Sequence, residues 1–316
     1  MNRILIIDEV HQSMMDIFNS SHITYDYLPD LDRIQALAII GKYQGVILRS
    51  KILADKEFID TGTQLKVIGR TGAGMETIDI PYAQSKAIAC INSPEGNRDA
   101  VGEQAIGMLL SLMNNLNKAN TEVRNRIWNR EGNRGIELNG RTVGIIGYGN
   151  MGGAFAKKLS GFDVTVIAYD KYKSNYGNQY AKEVALETIF ETADIISLHV
   201  PQTEETISMV NDAFLSKCKK PVIIINTARG KVVKTDDLVK HMKNGTVIGA
   251  ALDVLEYESF NFQDFLTENM PDAFNYLAQS SNVILTPHIA GWTVESKRKL
   301  SSVLAQKIVD YIHSTN

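Results

Sequence analysis

Apolar residues in this chain come in short unbroken runs and do not alternate with polar ones. Arg3–Ile7, Gly45–Leu48, Lys66–Ile68 and Ala87–Ile91 are the runs of its first section. Ile, Val and Leu without alternation suit parallel strands covered on both faces. The gaps between the runs leave room for a helix or loop, so the spacing predicts a small α/β layer. From Asp99 to about Asn125 the period becomes helical, with Ala105, Met108, Leu109, Leu112, Met113 and Leu116 on one stripe. One long helix is expected there, either packed on its own sheet, bridging two domains or facing a second subunit. Strand runs return at Thr142–Ile146, Val164–Tyr169, Ile195–Val200, Val222–Asn226, Val247–Leu252 and Val283–Leu285. Asn150–Leu159 reads as the helix after the first of them. Strands alternating with helices predict βαβ units and a doubly wound sheet. A last helix is expected from Thr293, as N-cap, through Val303, Leu304, Ile308 and Ile312. The stretch Ser259–Ser281 mixes Phe260, Phe262, Phe265, Phe274 and Tyr276 with acids, and predicts a helical insertion or a long covered loop.

Composition narrows the class. A chain of 316 residues exceeds one average domain. Hydrophobic residues at 44% against 22% charged give enough apolar matter for a full core and exclude a mainly disordered chain. A net charge of −3 argues against a nucleic-acid partner. No apolar run is long enough for a bilayer, and the start MNRILIIDEV lacks signal-peptide anatomy. Cys90 and Cys218 form no CxxC pair, so buried thiols and a cytoplasmic location are expected. Nothing in the spacing suggests a metal site.

The chemistry begins at Gly147-Tyr148-Gly149-Asn150-Met151-Gly152, a GxGxxG run between a strand and a helix. Gly147 permits the tight turn, Gly149 lets the backbone approach a pyrophosphate, and Gly152 allows close helix–strand packing. The helix N-terminus then presents N–H groups and a positive dipole end to the phosphates. Asp170 ends the next strand, where a carboxylate accepts from both ribose hydroxyls and repels a 2′-phosphate. Lys171 and Lys173 soften that repulsion, but NAD is favoured over NADP. Three further polar residues follow strand ends: Arg229 in Asn226–Gly230, Glu258 after Leu252-Asp253, and His288 in Thr286–Gly291. Ligands of open α/β sheets sit outside the carboxyl ends of the strands, so the three should share a crevice. An arginine fork binds a carboxylate in a planar way. A histidine passes protons near neutrality, and an adjacent carboxylate orients it and favours its protonated form. Together they describe oxidation of a 2-hydroxy acid or reduction of a 2-keto acid.

With these residues in view, the chain resembles the D-isomer-specific 2-hydroxyacid dehydrogenases over nearly its whole length. The marks are Gly144–Gly152, Ser197–Pro201, Asn226–Gly230, Ala250–Val254 and Thr286–Gly291. The resemblance implies two doubly wound α/β domains, a Rossmann NAD-binding domain inserted in a flavodoxin-like substrate domain. Residues 1–98 plus 289–316 would form the substrate domain. Residues 99–288 would form the NAD-binding domain, with the long helix near Ala105 joining a homodimer interface. The resemblance further implies Arg229 as substrate-binding and carbonyl-polarising, His288 as acid/base and Glu258 as its partner. It puts Asp253 on the nicotinamide carboxamide, and Val200, Pro201, Thr206, Thr227 and Ala228 along the cofactor, with Gly291 close by. Ala73 and Gly74 match a loop whose backbone N–H groups hold the substrate carboxylate. The chain departs from the family pattern in having Ser259 where Pro usually follows the acid. Glu256, two residues earlier, is therefore the alternative partner. Gly102 replaces the usual Ala of the helix, at a cost of about 1 kcal/mol, and suggests a hinge.

Arg49-Ser50-Lys51 follows the strand Gly45–Leu48 and should point toward the substrate. Two cations there could meet a phosphate, as the similar segment does in the phosphoglycerate dehydrogenases of this family; a solvated charge pair is the plainer alternative. Oxidation of 3-phosphoglycerate, in serine biosynthesis, is thus the favoured expectation, without the added serine-feedback domain some such enzymes carry. A glyoxylate/hydroxypyruvate reductase or a D-lactate-type enzyme would use the same triad. A corepressor-like NAD-sensing module is the remaining rival, since such proteins also keep the triad.

Overall fold

Two parallel sheets organise the chain in this computed structural model, which describes residues 3–258 and 270–315. They belong to two compact units, one of Met1–Arg98 with Trp292–Asn316 and one of Asp99–Gly291. In the first unit the strands are β1 (Arg3–Ile6), β2 (Thr24–Tyr27), β3 (Gly45–Leu48), β4 (Val67–Arg70) and β5 (Ala89–Asn92), in the order β2-β1-β3-β4-β5. That is the flavodoxin-like order. The three inner strands are the Ile/Val runs, and their side chains are buried on both faces. The helix Val294–Thr315 closes one face, with Leu304, Ile308 and Ile312 packed among Ile4, Ile47 and Val67. Thr293 accepts the Ser296 N–H at 3.1 Å and so caps it.

The second unit holds β6 (Thr142–Ile146), β7 (Thr165–Tyr169), β8 (Lys182–Glu183), β9 (Ile195–Leu198), β10 (Val222–Asn226), β11 (Val247–Leu252) and β12 (Val283–Leu285). Their order is β12-β11-β10-β9-β6-β7-β8, all neighbours parallel. The chain leaves β6 toward β7 on one side and returns to β9 on the other. This switch of direction opens a crevice at the carboxyl end of β6.

The single helix expected over residues 99–125 is two, Arg98–Met113 and Leu116–Arg124. The break has a local cause. Asn114 turns its side-chain amide onto the Leu110 carbonyl at 3.0 Å, and Asn115 sits in the left-handed region at φ 54°. The first helix buries Ala105, Met108, Leu109, Leu112 and Met113 against Val143, Ile145, Ile223 and Ala251 of its own sheet. Gly102 has a packing reason: a Cβ there would lie 3.2 Å from the Ala154 backbone. Of the Ser259–Ser281 stretch, residues 259–269 lie outside the described residues, and Asp272–Gln279 forms a helix.

Candidate active site

The helix Asn150–Leu159 starts directly from the glycine run. Gly147 has φ 91°, and a Cβ on it would lie 2.5 Å from the His199 carbonyl oxygen. A Cβ on Gly152 would come within 2.1 Å of the Gly147 carbonyl oxygen. Gly149 differs: a Cβ there would meet nothing within 4 Å, so its backbone faces open space. Asp170 is tied to the same loop. Its Oδ2 accepts the Tyr148 N–H at 2.8 Å and its Oδ1 the Tyr172 N–H at 3.0 Å. Of the two softening lysines, Lys171 pairs with Glu205 at 2.6 Å and Lys173 donates to the Tyr148 carbonyl at 2.9 Å. Below the loop, burial pushes the His199 imidazole down to about 3, so it stays neutral at physiological pH. Thr206 bonds the Pro201 carbonyl at 2.6 Å, fixing the turn that follows Val200. The Thr227 hydroxyl is buried with no hydrogen-bond partner among the described residues. An open glycine backbone, an acid fixed one strand away and an unpaired hydroxyl next to Ala228 suit a dinucleotide, with Asn150 and Met151 opening the helix beneath its phosphates.

The acid/base candidates meet. His288 Nδ1 lies 2.7 Å from Glu258 Oε2, with both side chains largely covered. The other Glu258 oxygen accepts the Leu255 N–H. Glu256 is committed elsewhere: its Oε2 accepts the Thr235 N–H at 2.9 Å and the Thr235 hydroxyl at 2.8 Å, at the start of the helix Thr235–Lys243. Spacing alone could not separate two glutamates two residues apart. Arg229 leaves β10 on a loop braced by Asn226, whose side chain accepts the Ala228 N–H at 3.0 Å and donates to the Arg229 carbonyl at 2.9 Å. Gly230 lets this loop press on the next one, since a Cβ there would lie 1.9 Å from the Leu255 carbonyl oxygen. Asp253, directly after β11, is buried and takes donors from the residues around His288. Arg229, Glu258 and His288 therefore all follow carboxyl ends of neighbouring strands, with Gly291 at the end of the histidine turn.

In the first unit, Arg49 and Lys51 follow β3. The Arg49 guanidinium stacks on the Trp292 ring, 4.5 Å from its centre, and the Arg49 N–H donates to Asp8 at 2.5 Å. Lys51 donates to the Pro29 carbonyl. Burial pushes the Asp8 carboxyl above the usual range, against the opposing pull of the Arg49 N–H, Lys51, Arg49 and Arg70. Burial likewise lowers Arg49, offset in part by Asp8 and Glu9. Sequence reasoning passed over Asp8 and Trp292. The available signal was an acid ending the first buried run and a Trp just past the histidine turn. Ala73 is held through its carbonyl by the Asn92 side chain at 2.6 Å; Ser50 and Gly74 are partly covered.

A parallel sheet with a switch point, a glycine loop with its ribose-type acid, and a His–Glu pair near an arginine define the class of dinucleotide-binding oxidoreductases. Comparison with known proteins refines this. The family model for the NAD-binding domain of D-isomer specific 2-hydroxyacid dehydrogenases matches residues 106–290. A D-3-phosphoglycerate dehydrogenase of Archaeoglobus fulgidus is 32% identical over 310 residues, 98% of this chain and 57% of that protein. A glyoxylate reductase of Thermofilum pendens is 37% identical over 270 residues, 83% of this chain and 76% of that protein. Among solved structures, the D-lactate dehydrogenase of Aquifex aeolicus complexed with NAD and lactic acid aligns with TM-score 0.82 at 27% identity, covering 99% of this chain and 96% of that one. The chain belongs to the D-isomer-specific 2-hydroxyacid dehydrogenase family, whose NAD-binding domain it contains. It spans little more than half the length of the D-3-phosphoglycerate dehydrogenases it matches in Archaeoglobus fulgidus and Synechocystis, 57% and 54%. Among the described residues no helix is long and apolar enough to cross a membrane.

Proposed function

We propose that the protein is an NAD-dependent dehydrogenase interconverting a D-2-hydroxy acid and its 2-keto acid. The observation that carries this is the 2.7 Å contact between His288 Nδ1 and Glu258 Oε2, following strand ends beside the Arg229 loop. NADH supplies the hydride to the keto carbon when bound. With Nδ1 on Glu258, His288 gives the proton to the keto oxygen at Nε2, and takes it back in oxidation. Glu258 holds the ring in orientation through its contact with Nδ1. Arg229 grips the substrate carboxylate and polarises the carbonyl. Asp170 selects NAD through the ribose hydroxyls, and the Ala73–Gly74 backbone assists with the carboxylate. The unit containing Asp99–Gly291 serves the cofactor and the other unit the substrate.

Our preferred substrate pair is 3-phosphoglycerate and 3-phosphohydroxypyruvate, in the cytoplasm and in serine biosynthesis. In support, the Arg49 guanidinium sits over the Trp292 ring, 4.5 Å from its centre, and an arginine fork suits a phosphate, with Lys51 adding charge. Relatives of similar identity include a hydroxypyruvate reductase of Thermotoga maritima, 34% over 278 residues, so the assay must separate the two. NADH oxidation is measured with phosphohydroxypyruvate, hydroxypyruvate, glyoxylate, pyruvate and 2-ketoglutarate. The highest kcat/KM is expected for the phosphorylated acid. A preference for glyoxylate or hydroxypyruvate makes it a reductase instead. Tight NADH binding with no turnover on any acid makes it an NAD-sensing module. A homodimer is expected, because Leu116, Val123, Ile127 and Trp128 are large apolar side chains left exposed within thirteen residues.

A further inference from the structure

We propose that Asp253 is a positioning residue that fixes the turn carrying His288; the inference rests on the acid/base role given to His288 above. Asp253 is 1% exposed. Its Oδ1 accepts the Thr286 hydroxyl at 2.6 Å and the Ile289 N–H at 2.9 Å. Its Oδ2 accepts the Ala290 N–H at 2.9 Å. Its own carbonyl accepts the His288 N–H at 2.7 Å. Four donors within residues 286–290 thus converge on one residue at the end of β11.

The histidine they surround needs such a restraint. His288 has φ 54°, a backbone region that a residue with a Cβ enters only when its surroundings hold it there. Release of the turn would let His288 relax toward negative φ and swing its ring off Glu258. The Asp253 carboxylate bonds the Thr286 hydroxyl and the Ile289 and Ala290 backbone on either side of the histidine, so it acts through the turn. The chemistry also requires a carboxylate. Three donors need acceptors on both oxygens, and an ionised carboxyl accepts on both. Asparagine of the same shape would set an NH₂ group against one of those donors, leaving a buried N–H or O–H unpaired. Family resemblance puts the same residue on the nicotinamide carboxamide; that role acts on cofactor affinity, whereas the clamp acts on the histidine.

The test is Asp253→Asn in the full chain, with three readouts. These are NADH affinity by fluorescence titration, kcat with the best keto acid, and the low-field NMR resonance of the His288 Nδ1–H, assigned by its loss in His288→Ala. The clamp predicts a fall in kcat of about 10²-fold, the loss expected for a misplacement near 1 Å. It also predicts loss or displacement of the resonance, with NADH affinity kept within about threefold. Thr286→Val removes one donor and keeps the carboxylate. It should shift the same resonance and lower kcat less, and it decides the matter if Asp253→Asn fails to fold. Retention of both resonance and kcat in either variant overturns the proposal. So does a loss confined to NADH affinity. If the unmodified protein turns over no keto acid, the proposed function fails, while the resonance still reports on the clamp.

Discussion

Gly230→Ala tests whether the site depends on the contact between the loop carrying Arg229 and the loop leading to Glu258. The added Cβ would start 1.9 Å from the Leu255 carbonyl oxygen, 2.1 Å from its carbon and 2.8 Å from the Glu256 nitrogen. All three are backbone atoms, so no side chain can swing aside. Real contacts of this kind do not fall below 3.0 Å, and restoring that floor separates the loops by about 1.1 Å. Arg229 precedes the altered residue and Glu258 stands three residues past Leu255, so the shift reaches both. A misplacement near 1 Å costs about 10² in rate, and overpacking costs about 1–3 kcal/mol of stability. The variant should therefore fold with a lowered Tm, bind NADH nearly as before, and lose about two orders of magnitude in kcat on the best keto acid. Gly153→Ala is the control, since its Cβ meets nothing within 4 Å. A folded Gly230→Ala protein with kcat within about threefold of the unmodified enzyme would refute the argument, because the two loops would then be free to part without consequence.

Four other outcomes follow from the same geometry. Asp170→Ala removes the acceptor of the Tyr148 and Tyr172 N–H groups as well as the ribose partner; NAD should weaken and the preference over NADP narrow, and equal turnover with both cofactors in the unmodified protein would sink the idea. Replacing Arg49 and Lys51 together by Ala should raise KM for a phosphorylated substrate far more than for glyoxylate, since hydrogen bonds to charged groups are worth about 1.5–3 kcal/mol each; equal effects on both substrates would leave them as structural cations. His288→Ala should lower kcat by about 10² to 10⁴ with NADH binding kept. Glu258→Gln, which keeps the shape but removes the carboxylate that holds His288 Nδ1 at 2.7 Å, should lower kcat by about 10²-fold with NADH binding kept, the loss expected for a misoriented group; a kcat within about threefold of the unmodified enzyme would remove Glu258 from the mechanism.

The buried strands were readable because short unbroken Ile and Val runs suit parallel strands covered on both faces, and the glycine loop because each glycine has a separate steric reason. Strands β2 and β8 escaped notice. Thr24–Tyr27 reads TYDY and Lys182–Glu183 is two charged residues; both lie on sheet edges, where burial leaves little imprint on composition. The break at Asn114-Asn115 was invisible to hydrophobic periodicity, since Leu116 keeps the helical phase while its side chain is exposed. The choice between Glu256 and Glu258 turned on which one Thr235 engages, a contact twenty-one residues away that no local spacing encodes. Asp253 was picked out by resemblance for one task, but its three accepted hydrogen bonds appear only in three dimensions.

The unit built on β1 to β5 is discontinuous in the chain, and that sets an order of events during synthesis. Its sheet is complete once Asn92 has left the ribosome, but Leu304, Ile308 and Ile312, which cover Ile4, Ile47 and Val67, belong to the final helix. The whole of Asp99–Gly291 must be translated first. At about 5 to 20 residues per second that wait is on the order of 10 to 40 s. Of the two units, the one built on β1 to β5 is therefore the later to finish folding. Its uncovered apolar face is exposed meanwhile to chaperones and to neighbouring nascent chains, whereas the inserted unit can mature as soon as it emerges.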